Sequence, residues 1–208
     1  MSKILQAGQS YTFSKLFELK VEVDDLVNEF GYTLQRLELS LPQYKGELDR
    51  IRDTQDRISE ILPYVNLANE ATRREVLIAP VVTDLVHYTR SQLRIEYQIK
   101  VSEHLQGYFD YLLRNQAWII VIEAKHEDLY NGFTQLATEL IALDQWDKAP
   151  ECDRLFGAVT TGSVWQFGLL HRQTKLIQQD LNLYRVPNDF ETVMRILVQA
   201  ITGINQME

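Results

Sequence analysis

Three residues near the middle of the chain are of types and at spacings that do chemistry: Asp110, Glu123 and Lys125. Asp110 falls among Phe109, Tyr111 and Leu112 in a stretch with strand character, where an acid has no packing role and, if buried, requires a partner. Glu123 and Lys125 close an apolar run, Trp118 to Ile122, that reads as a central strand; side chains alternate along a strand, so the acid and the ammonium leave one face together with Val121. If the two strands pair as a hairpin, Asp110 and Glu123 share one end of the sheet and offer oxygen ligands to a hard divalent cation. Magnesium suits such a set, because it keeps several waters and takes one or two carboxylates.

The pattern Gly107-x-x-Asp110 followed by Glu123-x-Lys125 at the end of an apolar strand resembles the PD-(D/E)xK nuclease superfamily, without the proline usually written before the acid. Upstream, Glu70, Arg74 and the segment Leu77-Ile78-Ala79-Pro80 look like the helix that opens the nuclease domain of type I restriction subunits and their standalone relatives. In that family a helix acid joins the active site; the match falls best on Glu70, with Glu75 the competing choice. Downstream, Gln135-Leu136 matches the glutamine that several nuclease lineages place beside the site to contact DNA or order water; a surface glutamine on an amphipathic helix is the other reading. The segment from Phe156 to Phe167 resembles the strand and hairpin that follow the crossover helix in the same group.

The resemblance, covering roughly residues 66 to 170, implies an α/β restriction-endonuclease-like fold, a mixed central sheet flanked by helices. It also implies magnesium- or manganese-dependent hydrolysis of DNA. Asp110, Glu123 and the backbone carbonyl of Ala124 would hold the metal, and Lys125 would orient the attacking water or stabilise the developing charge. Glu70 would complete the acidic set. DNA is the expected partner, with a homodimer or a larger restriction-type complex as the expected assembly. The rival expectation keeps the nuclease fold but makes it a binding or assembly subunit, since no GxxxxGK[ST] phosphate loop is present.

The elements that must position these residues follow from periodicity. Residues 1–44 read as an α+β extension docking on a domain of residues 45–208, with a helix at 23–30 closed by Gly31 and a strand alternating through Leu37, Leu39 and Leu41. Helices are expected at 45–63 and at 66–88, the second interrupted by Pro80. A strand at 94–101 turns Ile95, Tyr97, Ile99 and Val101 to one face. Leu129, Phe133, Leu136, Leu140 and Leu143 form the stripe of a crossover helix. Strands at 155–160 and 163–169 flank Thr161-Gly162, and a helix over 189–201 closes the chain.

Composition sets limits. The chain has 208 residues, 45% of them apolar and 24% charged, enough for a sizeable core. A net charge of −8 argues against a protein that coats nucleic acid, but leaves room for a local basic cluster drawn from Arg90, Arg94, Lys100, Arg172 and Lys175. The single cysteine, Cys152, excludes an internal disulfide, and no Cys/His group has zinc-ligand spacing. With no run near the roughly 18 apolar residues of a membrane span and no signal-peptide pattern, the expected location is the cytoplasm, away from membranes.

Overall fold

The computed structural model describes residues 4–6, 8–115, 119–124, 128–148 and 152–203, with the backbone alone for 119–124. It opens with two short helices, α1 (Phe13–Glu18) and α2 (Val23–Glu29), and a strand, β1 (Thr33–Leu37). Gly31 ends α2 with φ +79°, a conformation open to glycine without steric cost. The first strand thus lies before the alternating leucines expected to form it, and only Leu37 of the three belongs to it.

Helix α3 (Ile51–Ile61) is shorter than its hydrophobic period. Next, α4 (Glu70–Arg73), a π-helical turn (Arg74–Ile78) and α5 (Ala79–Thr89) follow without a break. Pro80 does not interrupt this rod. It lies in the first turn of α5, where a missing N–H is tolerated, and the wider π turn just before it absorbs the misfit. Three strands then run consecutively: β2 (Gln92–Lys100), β3 (Gln106–Arg114) and β4 (Ile119–Ala124). The crossover helix α6 (Leu129–Gln145) leads to β5 (Arg154–Thr160), β6 (Val164–His171), β7 (Leu176–Asp180), the short β8 (Tyr184–Arg185) and α7 (Phe190–Gly203).

Among the described residues these strands form one mixed sheet in the order β1-β7-β6-β5-β4-β3-β2, with β8 beside β6. The pairs β1–β7 and β4–β5 are parallel and the others antiparallel. The parallel β4–β5 pair requires a crossover connection, which α6 supplies. Alternation along β5 divides the core: Phe156 and Ala158 face a cluster with Leu77, Leu85 and Leu197, while Leu155 and Val159 face one with Phe133, Leu136 and Leu140. Helices α3, α5 and α7 therefore cover one face and α6 the other.

The amino-terminal segment lies over α6 and along the sheet edge. Phe13, Val23 and Val27 join the α6 cluster, and Tyr32 Oη donates to Asp144 at 2.6 Å, beside an Arg172 Nε that donates to the same carboxylate at 2.6 Å. Burial pushes the Tyr32 hydroxyl well above its ordinary pKa, and the hydrogen bond to Asp144 adds to the shift. As a consequence α6 is buried on its outer side too, and every residue from Gly132 to Leu143 is shielded from solvent.

Candidate active site

The register of the sheet locates Asp110 and Glu123. Pairing between β3 and β4 runs from Arg114↔Ile119 to Tyr111↔Ile122. Beyond that rung β3 continues beside β2 to Gln106, and β4 continues beside β5 as far as Ala124↔Thr160. Asp110 and Glu123 are the first residues past the point where the two strands part. Ala124 is the last residue of β4, and Lys125 lies outside the described residues.

The backbone is irregular on the other side of Asp110 as well. The pairs Ile95↔Tyr111 and Tyr97↔Phe109 set Glu96 across from Asp110, yet Glu96 has φ +49°, a left-handed conformation that non-glycine residues rarely adopt. The pleat breaks here: Phe109 belongs to the cluster under α6, whereas Tyr111 and Leu113 belong to the opposite one. Ile95 and Ile99, expected on one face of β2, lie on either side of this break: Ile95 pairs with Tyr111 and is 59% exposed, whereas Ile99 is 3% exposed.

Among the described residues Arg74 gathers the acids. Arg74 Nη2 lies 2.6 Å from Asp110 Oδ1 and 3.1 Å from Glu70 Oε1, and Arg74 Nη1 lies 3.7 Å from Glu96 Oε1. Asp110 is 15% exposed and Arg74 20%, whereas Glu70 and Glu96 are 48% and 71% exposed. Burial works against the Arg74 charge, but Asp110 and Glu70 outweigh it and raise its pKa above the ordinary value. Glu70 stands in the first turn of α4, after an Asn69 cap whose side chain accepts from Thr72 N. Its position one turn before Arg74 brings it to the cluster. Glu75 is exposed.

Gln135 differs from a residue on the margin of an apolar stripe. It is buried, and its Nε2 donates to Glu139 Oε1 at 2.9 Å; Glu139 is itself fully buried. Neither Glu96 nor Glu139 belongs to the sequence motif. Glu96 becomes visible only once register sets it opposite Asp110, but the i,i+4 spacing of Gln135 and Glu139 was available as a signal.

The basic residues considered for phosphate contact do not cluster. Arg90 and Arg94 lie at β2, on one sheet edge, and Lys100 Nζ bonds Glu103 at 2.6 Å; Arg172 and Lys175 lie at the β6–β7 turn toward the other edge. Arg172 is tied to Asp144, and the Lys175 ammonium lies over the Tyr32 ring.

Among the described residues no group of three or more His, Cys, Asp or Glu side chains has the arrangement of a metal site, and no helix is long and apolar enough to cross a membrane. No family model, curated protein or solved structure matches this chain.

Proposed function

We propose that the chain is a metal-dependent phosphodiester hydrolase acting on DNA, of the PD-(D/E)xK nuclease kind. The observation that carries this reading is the parting of β3 and β4, with Asp110 and Glu123 as the first residues beyond their last shared rung. The order of elements supports it: a helix, three consecutive strands, a crossover helix and a strand parallel to the third.

The proposed ligands are all oxygen donors, the kind a hard dication takes. Asp110, Glu123 and the Ala124 carbonyl would hold magnesium or manganese, with Glu70 completing the acidic set. When bound, the ion supplies Lewis acidity at a phosphoryl oxygen and lowers the pKa of a coordinated water. Lys125 would orient that water or meet the developing charge as a point cation. Gln135, buried and bonded to Glu139, would on this reading order a water rather than touch the nucleic acid.

The test is cleavage of supercoiled and linear DNA with Mg2+ or Mn2+, comparing the wild type with Asp110→Ala and Lys125→Ala. Metal-dependent cleavage lost in Asp110→Ala, with circular dichroism unchanged, is the expected result. Cleavage equal in the wild type and Asp110→Ala would overturn the assignment.

A second reading, a nuclease-fold binding or assembly subunit, is favoured by the Arg74–Asp110 pair, which satisfies the acid without any ion. On that reading the wild type cuts no DNA with either metal, and Asp110→Ala changes stability alone.

A further inference from the structure

Arg73 and Arg74 are neighbours in sequence with opposite surroundings. Arg74 meets three carboxylates. Arg73 is 4% exposed, its Nη1 donates to the Leu67 carbonyl, its Nη2 is buried with no hydrogen-bond partner, and no ion pair among the described residues includes it. A guanidinium keeps its charge in a protein, and a buried charge needs a counter-charge, which one carbonyl dipole does not supply. We infer that Arg73 anchors an oxyanion from outside the chain, a backbone phosphate of the nucleic acid. The inference rests on the reading of the chain as one that acts on phosphodiesters, and it requires no metal.

The place of Arg73 in the fold selects this ligand. Its stem lies against the β5–β6 turn, where a Cβ on Gly162 would stand 3.4 Å from Arg73 Cβ. That turn follows Thr160, the partner of Ala124 in the parallel β4–β5 pair, and so continues the sheet end at which β4 closes. In the order β5-β4-β3 the two arginines straddle β4: Arg74 reaches Asp110 on β3, and Arg73 reaches the turn after β5. Two strand spacings separate them, about 10 Å. The phosphate on Arg73 is therefore not the one at the proposed centre but one flanking it. The turn also carries hydroxyl donors, with Thr161 Oγ1 and Ser163 Oγ 3.3 Å apart and Ser163 half-buried. Arginine and hydroxyl groups are the usual donors to a phosphate backbone.

The way in lies past Leu67. Between the short 3-10 turn (Leu62–Tyr64) and α4 the chain is neither helix nor strand, and Tyr64, Asn66, Ala68 and Asn69 are exposed. Asn66 Oδ1 accepts from Ala68 N, which holds this turn locally, and the Leu67 carbonyl ties it to Arg73. A phosphate oxygen is a charged acceptor where that carbonyl is a neutral one, and charge-assisted hydrogen bonds are the stronger. The phosphate takes the carbonyl's place as the turn swings aside.

The experiment is anisotropy titration of a labelled short DNA duplex, in EDTA and separately in Ca2+, over a series of salt concentrations. It compares the wild type with Arg73→Met and Arg73→Lys and records the melting temperature of each. In Arg73→Met the slope of log affinity against log salt should be smaller by about 0.9, one phosphate contact, with affinity down about tenfold at low salt. Arg73→Lys should keep the slope and lose part of the affinity, because the charge remains and the planar fork does not. Arg73→Met should also melt at or above the wild-type temperature, since it removes a buried charge that has no counter-charge. An arginine with a purely structural role would give the opposite shift.

An unchanged salt slope in Arg73→Met, or an Arg73→Met chain that melts well below the wild type or fails to fold, would overturn the anchor while leaving nucleic-acid binding by the wild type standing. No duplex binding by the wild type in either condition would overturn the anchor and the phosphodiester reading together. A wild-type melting temperature then raised by inorganic phosphate would assign the site to a free oxyanion instead.

Discussion

Gln135 and Glu139 lie one turn apart on α6, with Gln135 Nε2 2.9 Å from Glu139 Oε1 and Glu139 wholly shielded from solvent. An acid in that position on a crossover helix contributes nothing to apolar packing against the sheet. It accepts from the Gln135 amide and so settles the direction of that amide's nitrogen.

Glu139→Leu should therefore cost about 1–3 kcal/mol, because the buried Gln135 amide loses an acceptor. Glu139→Gln keeps an acceptor oxygen and should lose less. Urea unfolding of both variants measures the difference; equal losses would mean that the hydrogen bond to Gln135 has no energetic part.

The Arg74 pairs should differ sharply in strength. Asp110 and Arg74 are mostly shielded, so a double-mutant cycle between them should give a coupling of about 1–3 kcal/mol. Glu96 is 71% exposed and 3.7 Å away, and its coupling to Arg74 should stay below about 0.5 kcal/mol. Equal couplings would show that solvent screens the Asp110 pair as fully as the exposed one.

Sequence periodicity located the helix-strand-strand-strand-helix-strand order because each element announces itself within its own length. The stripe Leu129, Phe133, Leu136, Leu140, Leu143 is such a case. The same stripe misplaced Gln135, since a one-sided pattern says nothing of a second layer, and here α1 and α2 bury the outer side of α6. Pro80 misled for a related reason: proline disfavours an α-helical interior, but a π turn before it restores continuity, and no residue type marks such a turn. Glu96 could not be found locally at all. Its place opposite Asp110 is a property of register between two strands, and its left-handed φ is a property of the break in the pleat.

The β5–β6 turn supports the helix that carries Glu70 and Arg74. Gly162 has φ +89°, and a Cβ there would stand 3.1 Å from Leu77 Cδ1 and 3.4 Å from Arg73 Cβ. Gly162→Ala thus combines backbone strain with crowding at the π turn, and should destabilise by about 1–3 kcal/mol. The Arg74–Asp110 coupling should weaken in the same variant as the turn is pushed outward. An unchanged melting temperature would show that the helix yields freely.

Tyr184 gives the protein an alkaline limit with a definable window. Burial pushes its hydroxyl up to about 12 from the ordinary 10.0, and the neighbouring Asp180 carboxylate, to which it donates at 3.3 Å, adds to the shift. Because the folded pKa exceeds the unfolded one, the folded chain keeps the proton that the unfolded chain gives up. The stabilisation is fully present below pH 10 and is lost as pH rises toward 12. Tyr32 shifts in the same direction, so both contribute to the decline. Tyr184→Phe removes one ionisable hydroxyl without exposing the ring's apolar contacts. Its stability should start lower at neutral pH, for want of the hydrogen bond to Asp180, and then fall less steeply between pH 10 and 12 than that of the wild type. Urea midpoints measured across that range decide it: parallel slopes would place the alkaline loss elsewhere, whereas a shallower slope that flattens further in the Tyr32→Phe, Tyr184→Phe double variant would assign it to these two phenols.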